Sequence, residues 1–144
     1  MTRAGVFILY ALRQVGKPYV YGIENDDVAD PTSWDCSELV QIAAGKAGVT
    51  VPDGAANQCT FCRTIPVAVA RETIGALLFI QDAHAYPGKT NHVGHVAIVI
   101  AKGWCVEAKG KAYGVVISPI TSRFNAAGKV DALYLPANTE VIEA

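Results

Sequence analysis

The sequence predicts an α+β fold in which N-terminal helices pack on a central antiparallel β-sheet. Two observations support this fold class: apolar residues recur at helical spacing in the first half of the chain, and short β-branched or apolar runs separated by turn residues follow Gly75. Helices that precede strands are typical of an α+β fold rather than of a wound parallel sheet. A chain of 144 residues has the length of one domain, and we expect residues 1–144 to form it.

The first helix is predicted from about Arg3 to Val15. Thr2 is a suitable N-cap, and Gly16 followed by Pro18 is typical of a helix end. The apolar run Ala4–Leu12 faintly resembles the core of a signal peptide, but polar residues and no small-residue cleavage site follow it. We therefore interpret the run as an amphipathic helix and expect no signal peptide.

Four further segments are predicted before the strands begin: a polar loop, a second helix, a turn leading into a short helix, and a segment that fits a short helix or a strand almost equally well. In this order they are Gly22–Ser33, a helix from Asp35 or Cys36 to Gly48, Val51–Gln58 and Val67–Thr73.

Five strands are predicted after the helices, with a surface loop at Gln81–Asn91. The strands are Ala76–Ile80, His95–Ile100, Trp104–Ala108, Gly114–Ser118 and Ala132–Leu135. No glycine-rich phosphate loop occurs in either common spacing, so we expect no nucleotide cofactor.

The composition argues against several classes of protein. Lys and Arg total 12 and Asp and Glu total 13, and a net charge of −1 argues against a nucleic-acid-binding surface. Apolar residues make up 51% and charged residues 17%, which is too apolar for a disordered chain. No apolar run reaches the roughly 18 residues of a spanning helix. We therefore expect neither nucleic acid nor membrane insertion, and the sequence does not indicate an oligomeric state.

Cys36 is the strongest candidate for a chemical role. It lies in the run Trp34–Ser37 at the start of the predicted second helix, where the helix dipole and unpaired N–H groups favour a thiolate. The backbone N–H of Cys36 could also bind a developing oxyanion. The alternative is a structural cysteine that lies near a helix cap.

His95 is the candidate general base for Cys36. It opens a predicted strand, and a strand would hold the imidazole rigidly within hydrogen-bond reach of a nucleophile. His84 lies in the polar loop and is more typical of a solvated side chain, and His92 falls just before the strand.

Glu107 is the candidate group for orienting the imidazole of His95. If Ala101–Gly103 is a three-residue connection, Ala97 faces Glu107, and the two candidate side chains lie diagonally on one face, about 7–8 Å apart at the backbone. A two-residue turn would place Glu107 on the opposite face. The alternative is a solvated carboxylate at a sheet edge.

Cys59 and Cys62 form a C-x-x-C pattern, which occurs in redox and zinc sites. A zinc site needs two further ligands, and Cys105 and the histidines do not form a second matching pair. The strand-then-helix setting of a thioredoxin-type motif is also missing. We interpret these residues as ordinary thiols and keep a small zinc or redox protein as an alternative.

Three motifs together resemble the NlpC-type cysteine peptidases, which are papain-like peptidoglycan endopeptidases of bacteria and their phages. They are Gly16–Gly22 (GKPYVYG), Asp35–Val40 (DCSELV) and His95–Ile98 (HVAI), and the resemblance extends from about Ala11 to Ala108. It implies a papain-like fold, no metal or other cofactor, and cleavage between D-γ-glutamate and a diamino acid in the peptidoglycan stem peptide.

The resemblance also implies a role for each of six residues. Cys36 matches the nucleophile, His95 the base, Glu107 the third polar residue, and Tyr19, Asp35 and Ser37 the residues that contact substrate, including a free amine.

Two positions depart from the common pattern of this family. Glu38 replaces a glycine that commonly follows the serine, and Glu107 stands where relatives often have a histidine. This variant is more similar to phage-associated members, such as endolysin domains and tail-borne wall hydrolases, and the absence of a visible signal peptide fits that context. The alternatives are an N-acetylmuramoyl-L-alanine amidase or acyltransferase on the same fold, and a non-catalytic wall-binding or virion module.

Overall fold

Helices dominate the first half of this computed structural model, and an antiparallel sheet dominates the second half. The structure describes residues 2–82 and 91–136. Within those ranges the elements are α1 (Arg3–Leu12), α2 (Cys36–Lys46), α3 (Ala55–Phe61), β1 (Arg63–Thr64), α4 (Val67–Ala70), β2 (Leu77–Gln81), β3 (Val93–Ala101), β4 (Trp104–Ala108), β5 (Val115–Pro119), β6 (Ala126–Lys129) and a 3₁₀ helix at Asp131–Tyr134. The predicted α+β class is confirmed.

The strands described form one six-stranded sheet with the order β1-β6-β2-β3-β4-β5, in which neighbouring strands pair antiparallel. Neighbouring residues along its strands point to opposite faces. Phe79 and Ile98 belong to the larger buried cluster together with α1 and α2. Leu78 and Ala97 belong to a smaller cluster that includes Phe124. The sheet is therefore buried on both faces, which fits its long apolar strands.

The first helix begins as predicted, because the Thr2 hydroxyl accepts a hydrogen bond from the Gly5 N–H at 3.2 Å. It ends at Leu12, three residues before the predicted end. The N–H groups of Gln14 and Val15 bond to carbonyls three positions earlier, so the chain tightens into turns there.

The predicted strand Ala132–Leu135 is wrong, since residues 131–134 form the 3₁₀ helix and the Leu133 N–H bonds to the Val130 carbonyl at 3.0 Å. β6 was not predicted, because its small residues have little β propensity. Tertiary pairing decides here, because β6 lies between β1 and β2. Gly128 permits this approach, since a Cβ there would lie 2.3 Å from the Cβ of Cys62.

Other predicted elements lie close to their expected positions. Val67–Thr73 contains α4 rather than a strand, and α3 follows the turn that begins at Val51. Most of the predicted loop Gln81–Asn91, including His84, lies outside the described residues. Of the helices described, none has the length and apolar character needed to cross a bilayer.

Candidate active site

Cys36 is the first residue of α2, as predicted, and its side chain lies at the N-terminus of that helix. Asp35 caps the helix, since its Oδ1 accepts a hydrogen bond from the Glu38 N–H at 2.8 Å. Cys36 is 9% exposed. The positive end of the helix dipole and the unpaired N–H groups of the first turn favour a negatively charged sulfur at this place.

Asp35 and Ser37 flank the nucleophile candidate and are bonded to each other and to the neighbouring loop. The Ser37 hydroxyl donates to Asp35 Oδ1 at 3.4 Å, and the Gly22 N–H donates to Asp35 Oδ2 at 3.1 Å. Gln58, which is buried, donates from Nε2 to the Ser37 carbonyl at 2.9 Å. These bonds fix the backbone on both sides of Cys36.

Replacing Asp35 by alanine is expected to lower the free energy of unfolding by about 1 kcal/mol, because the helix cap is lost. Asp35→Asn is the matched control, since an asparagine oxygen can also cap the helix and should retain most of the stability. Urea denaturation of both variants would measure the difference. Equal losses for alanine and asparagine would show that the carboxylate charge, rather than capping, accounts for the stabilisation.

Tyr19 lies beside the nucleophile because its segment pairs with the residue before the cap. The Trp34 N–H bonds to the Pro18 carbonyl and the Val20 N–H bonds to the Trp34 carbonyl, both at 3.0 Å. Trp34 is buried. Burial, with smaller contributions from Cys36 and Asp35, raises the pKa of Tyr19 to about 12. The phenol therefore keeps its proton and remains a hydrogen-bond donor at ordinary pH.

The hairpin between β3 and β4 has a shorter turn than the predicted three residues. Ala101 pairs with Trp104, which leaves Lys102 and Gly103 as a two-residue turn, and Gly103 has the expected positive φ, +78°. On its own, such a turn would place Glu107 on the wrong face of the sheet.

A β-bulge at Ile100 corrects the register. Val99 pairs with Cys105, so one extra residue is absorbed between that pair and the turn. The prediction that His95 and Glu107 share a face is therefore correct, although the connection that produces it differs. Their side chains meet directly, with His95 Nε2 and Glu107 Oε1 2.7 Å apart.

Glu107 is 0% exposed, so the interpretation as a solvated edge carboxylate is wrong. The strand β4 that carries it lies inside the sheet, and Oε2 contacts Arg123 and lies 3.8 Å from the Sγ of Cys105. Burial alone would raise the pKa of this carboxyl, but hydrogen bonds from His95, Arg123 and Ser118 lower it to about 2. Glu107 is therefore a buried, ionised group.

His95 is paired on both sides. Burial alone would lower its pKa, but hydrogen bonding with Cys36 and Glu107 raises the pKa to about 9. Because Nε2 faces Glu107, Nδ1 is the ring nitrogen left for the thiol. The structure therefore brings Cys36, His95 and Glu107 together in an arrangement that can hold a thiolate–imidazolium pair.

Arg123 and Phe124 adjoin this group and were not identified from the sequence. The Arg123 guanidinium carbon lies 4.3 Å from the centre of the Phe124 ring, which stacks on the His95 imidazole at 6.3 Å between centres. Both residues lie in a connection after β5 that has no periodic pattern and no motif. Only the folded chain places them beside Glu107.

A cleft of about 310 Å³ opens beside Cys36, and Tyr19, Asp35 and Ser37 contribute to its walls. Glu24 and Asp53 also line it, so the cleft has a strongly acidic wall. A larger cavity of about 510 Å³ lies between α2, residues 25–28 and residues 48–51, and none of the six predicted site residues lines it.

One group of carboxylates among the described residues has the spacing of metal ligands. Oxygen atoms of Glu24, Glu38 and Asp53 lie within 4.8 Å of one another, and Cys59 and Cys62 are not part of this group. Burial raises the pKa of Glu38 to about 7, and the nearby Asp53 raises the pKa of Glu24. Exposed acidic groups are common without a metal, and Glu38 already accepts a hydrogen bond from a backbone N–H.

Residues 16–132 match the sequence model of the NlpC/P60 family. The chain is 36% identical over 93 residues to the bifunctional muramidase/DL-endopeptidase CwlT of Bacillus subtilis, and the aligned region covers 65% of this chain and 25% of that protein. It is 31% identical over 115 residues to the peptidoglycan endopeptidase RipB of Mycobacterium tuberculosis, and the aligned region covers 74% of this chain and 44% of that protein. The chain thus spans less than half the length of these relatives.

Solved structures give the same likeness. The peptidoglycan hydrolase RipB of M. tuberculosis superposes with a TM-score of 0.70 at 26% identity, over 88% of this chain and 64% of that chain. The P60 domain of an antigen from M. avium subspecies paratuberculosis superposes with a TM-score of 0.71 at 25% identity, over 91% and 95%. RipD of M. tuberculosis, described as a non-catalytic peptidoglycan-binding domain, has a TM-score of 0.70 over 90% and 98% of the two chains. At 20% identity, RipD shows likeness of fold alone.

Proposed function

This chain belongs to the NlpC/P60 family, and we propose that it is a cysteine endopeptidase that cleaves the peptidoglycan stem peptide between D-γ-glutamate and a diamino acid. The observation that carries the proposal is a helix-terminal cysteine that interacts with His95, which in turn pairs with the buried Glu107. Of the two relatives, CwlT is named a bifunctional muramidase/DL-endopeptidase and RipB a peptidoglycan endopeptidase. They support the substrate class and the type of reaction.

The proposed reaction uses the three groups in sequence. The Cys36 thiolate attacks the amide carbonyl carbon and forms a C–S bond, while backbone N–H groups at the start of α2 bind the oxyanion. His95 gives its proton to the leaving amine as the C–N bond breaks, which leaves a thioester. A water molecule then loses a proton to His95 and hydrolyses the thioester, and the thiolate–imidazolium pair is restored.

The acidic cleft supports a substrate that carries a positive charge. Tyr19, Asp35 and Ser37 lie in its walls as the proposed substrate-contacting residues, and Glu24 and Asp53 add negative charge nearby. A stem peptide offers amines, either at a free N-terminus or on its diamino acid. Carboxylates that line a cleft raise the local concentration of such a cation.

The alkaline limit of hydrolysis is expected near pH 9, because the imidazolium of His95 must supply the proton and its pKa is raised to about 9. The same shift affects folding. With an ordinary pKa of 6.5, the stabilisation from His95 is complete below pH 6.5 and is lost as the pH rises through 9. The pH profile of kcat/KM and urea denaturation at pH 6, 8 and 10 would measure both effects. An alkaline limit near pH 6.5 would contradict this expectation.

Mass spectrometry of muropeptides tests the proposed function. Purified peptidoglycan of several stem-peptide types would be digested with the wild-type protein and with Cys36→Ala. New ends between glutamate and the diamino acid, absent with the variant, are the expected result. Release of the whole stem from the sugar would indicate an amidase instead, and a product joined to an added amine would indicate an acyltransferase.

A second candidate function is peptidoglycan binding without hydrolysis. RipD, described as non-catalytic, shows that the fold is compatible with such a role, whereas the Cys36–His95–Glu107 group weighs against it. Sedimentation with purified walls, combined with unchanged muropeptides from wild type and Cys36→Ala alike, would establish this alternative.

We also propose that the protein acts at the bacterial cell wall as a phage lysin or a virion component. The support is the sequence variant, with Glu38 after the serine and Glu107 as the third residue. Detection of the chain in purified phage particles or in phage lysates by mass spectrometry is the expected result. Its presence only in the secreted fraction of an uninfected bacterium would contradict phage delivery.

A further inference from the structure

We infer that Arg123 is a positioning residue that compensates the buried Glu107 carboxylate while His95 gives up and regains its proton. This inference rests on the function proposed above, because it concerns the proton that His95 transfers. It concerns a residue outside the three family motifs, since Arg123 lies 16 positions beyond Glu107 in an irregular connection.

The charge balance of the site changes during the proposed reaction. Glu107 is fully buried, and a buried carboxylate without a countercharge is strongly unfavourable. His95 provides a countercharge only while it is protonated. When His95 has given its proton to the leaving amine, Arg123 is the group in contact with Glu107 that still carries a positive charge.

The two oxygens of the carboxylate are divided between the two cations. Oε1 lies 2.7 Å from His95 Nε2, and Oε2 contacts Nη2 of Arg123. Rotation of the carboxylate would break both contacts. Phe124 holds both partners of Glu107 in place, because its ring packs against the Arg123 guanidinium and the His95 imidazole. The four side chains therefore form a closed set of contacts.

Among the residues that the structure describes, the other titratable groups beside His95 and Glu107 do not take over this role. Cys36 approaches His95 from α2 and brings a negative charge as a thiolate. Cys105 on β4 stays neutral at ordinary pH, because burial raises its pKa to about 12. Removal of Arg123 would leave Glu107 with a countercharge only while His95 is protonated. It would not empty the core, since the Arg123 side chain is 29% exposed.

Removal of this cation should make His95 hold its proton more tightly. In Arg123→Met, deprotonation of His95 would leave the carboxylate uncompensated, so the titration midpoint of His95 should move upward from about 9. We expect kcat to fall by about 10- to 100-fold, as for the loss of one charge-assisted hydrogen bond, with little change in KM. A purely structural role would lower activity without raising the midpoint.

The test combines kinetics with NMR titration of the His95 ring. Arg123→Met is compared with Arg123→Lys, which keeps the charge and should keep the midpoint near 9 and restore much of kcat. Arg63→Met is the matched control, since Arg63 forms an ion pair with Asp131 at 2.9 Å and is 56% exposed. In a Glu107→Gln background, Arg123→Met should have little further effect.

An unchanged midpoint and kcat in folded Arg123→Met would overturn the inference, as would an equal loss of activity in the Glu107→Gln background. If Arg123→Met does not fold, Arg123→Lys provides the test. A shift of the His95 titration midpoint in Arg123→Lys as large as the shift in Glu107→Gln would overturn the inference. The NMR titration needs no substrate. A wild-type protein that hydrolyses nothing but shows the expected shift would therefore refute the proposed function and leave the charge compensation supported.

Discussion

Replacement of Cys36 by serine is expected to lower the rate of stem-peptide hydrolysis by about 10⁴-fold or more, because a hydroxyl does not supply the thiolate on which the mechanism depends. The side chain is small and lies at a capped helix end, so the variant should fold. The measurement is the initial rate of release of new amine groups from purified peptidoglycan, together with the denaturation midpoint of the variant.

Cys59→Ser is the matched control for this substitution. Cys59 is partly exposed, and burial raises the pKa of its thiol. Because Cys59 lies outside the proposed site, its replacement should leave the rate unchanged, and iodoacetamide should modify Cys36 before Cys59. A Cys36→Ser variant that retains more than about a tenth of the wild-type rate would disprove the proposed nucleophile, since such a loss is far below that of removing a nucleophile.

Replacement of Glu107 by alanine is the second substitution with a large expected effect, and it acts on both stability and activity. Truncation leaves His95 and Arg123 around an empty, buried space, and breaking a buried ion pair typically lowers the free energy of unfolding by about 3–5 kcal/mol. Hydrolysis should fall by about 100-fold or more, because the imidazole loses the group that orients it and stabilises its charge.

Denaturation at pH 7 and rates on purified peptidoglycan would measure the two effects. Glu107→Gln separates them, since glutamine keeps the shape and one hydrogen bond but removes the charge; it should recover much of the stability and little of the activity. Glu72→Ala is the matched control, because Glu72 is an exposed partner of Lys102, and its loss should leave stability and rate essentially unchanged. Equal stabilities of Glu107→Ala and Glu72→Ala would contradict the buried ion pair.

The sequence could predict the parts of the candidate site that depend on local patterns. The helix start at Cys36 follows from the capping residue Asp35 and an apolar stripe, both of which are short-range signals. The shared face of His95 and Glu107 also follows from the alternation of side chains along a strand. That prediction was correct although the predicted turn was wrong. The turn is one residue shorter than predicted, and the extra residue in the bulge at Ile100 restores the register.

The parts that could not be predicted depend on contacts between distant segments. Arg123 and Phe124 reach the site from a connection without periodicity, and only the packing of that connection on the sheet gives them partners. β6 also depends on contacts between distant segments. Ala126–Lys129 becomes a strand through pairing with β1 and β2 rather than through its own β propensity.

The bulge at Ile100 also determines how related sequences should be aligned. A chain without this one residue would keep the pairing of Val99 with Cys105 and would close a regular hairpin, because the extra residue lies between that pair and the turn. Its carboxylate would occupy the same place beside the imidazole, although one position fewer than the 12 seen here would separate the two residues. In an alignment, the gap in such a shorter sequence therefore belongs opposite Ile100. A search that required a fixed number of positions between the histidine and the carboxylate would overlook homologues that have the same site.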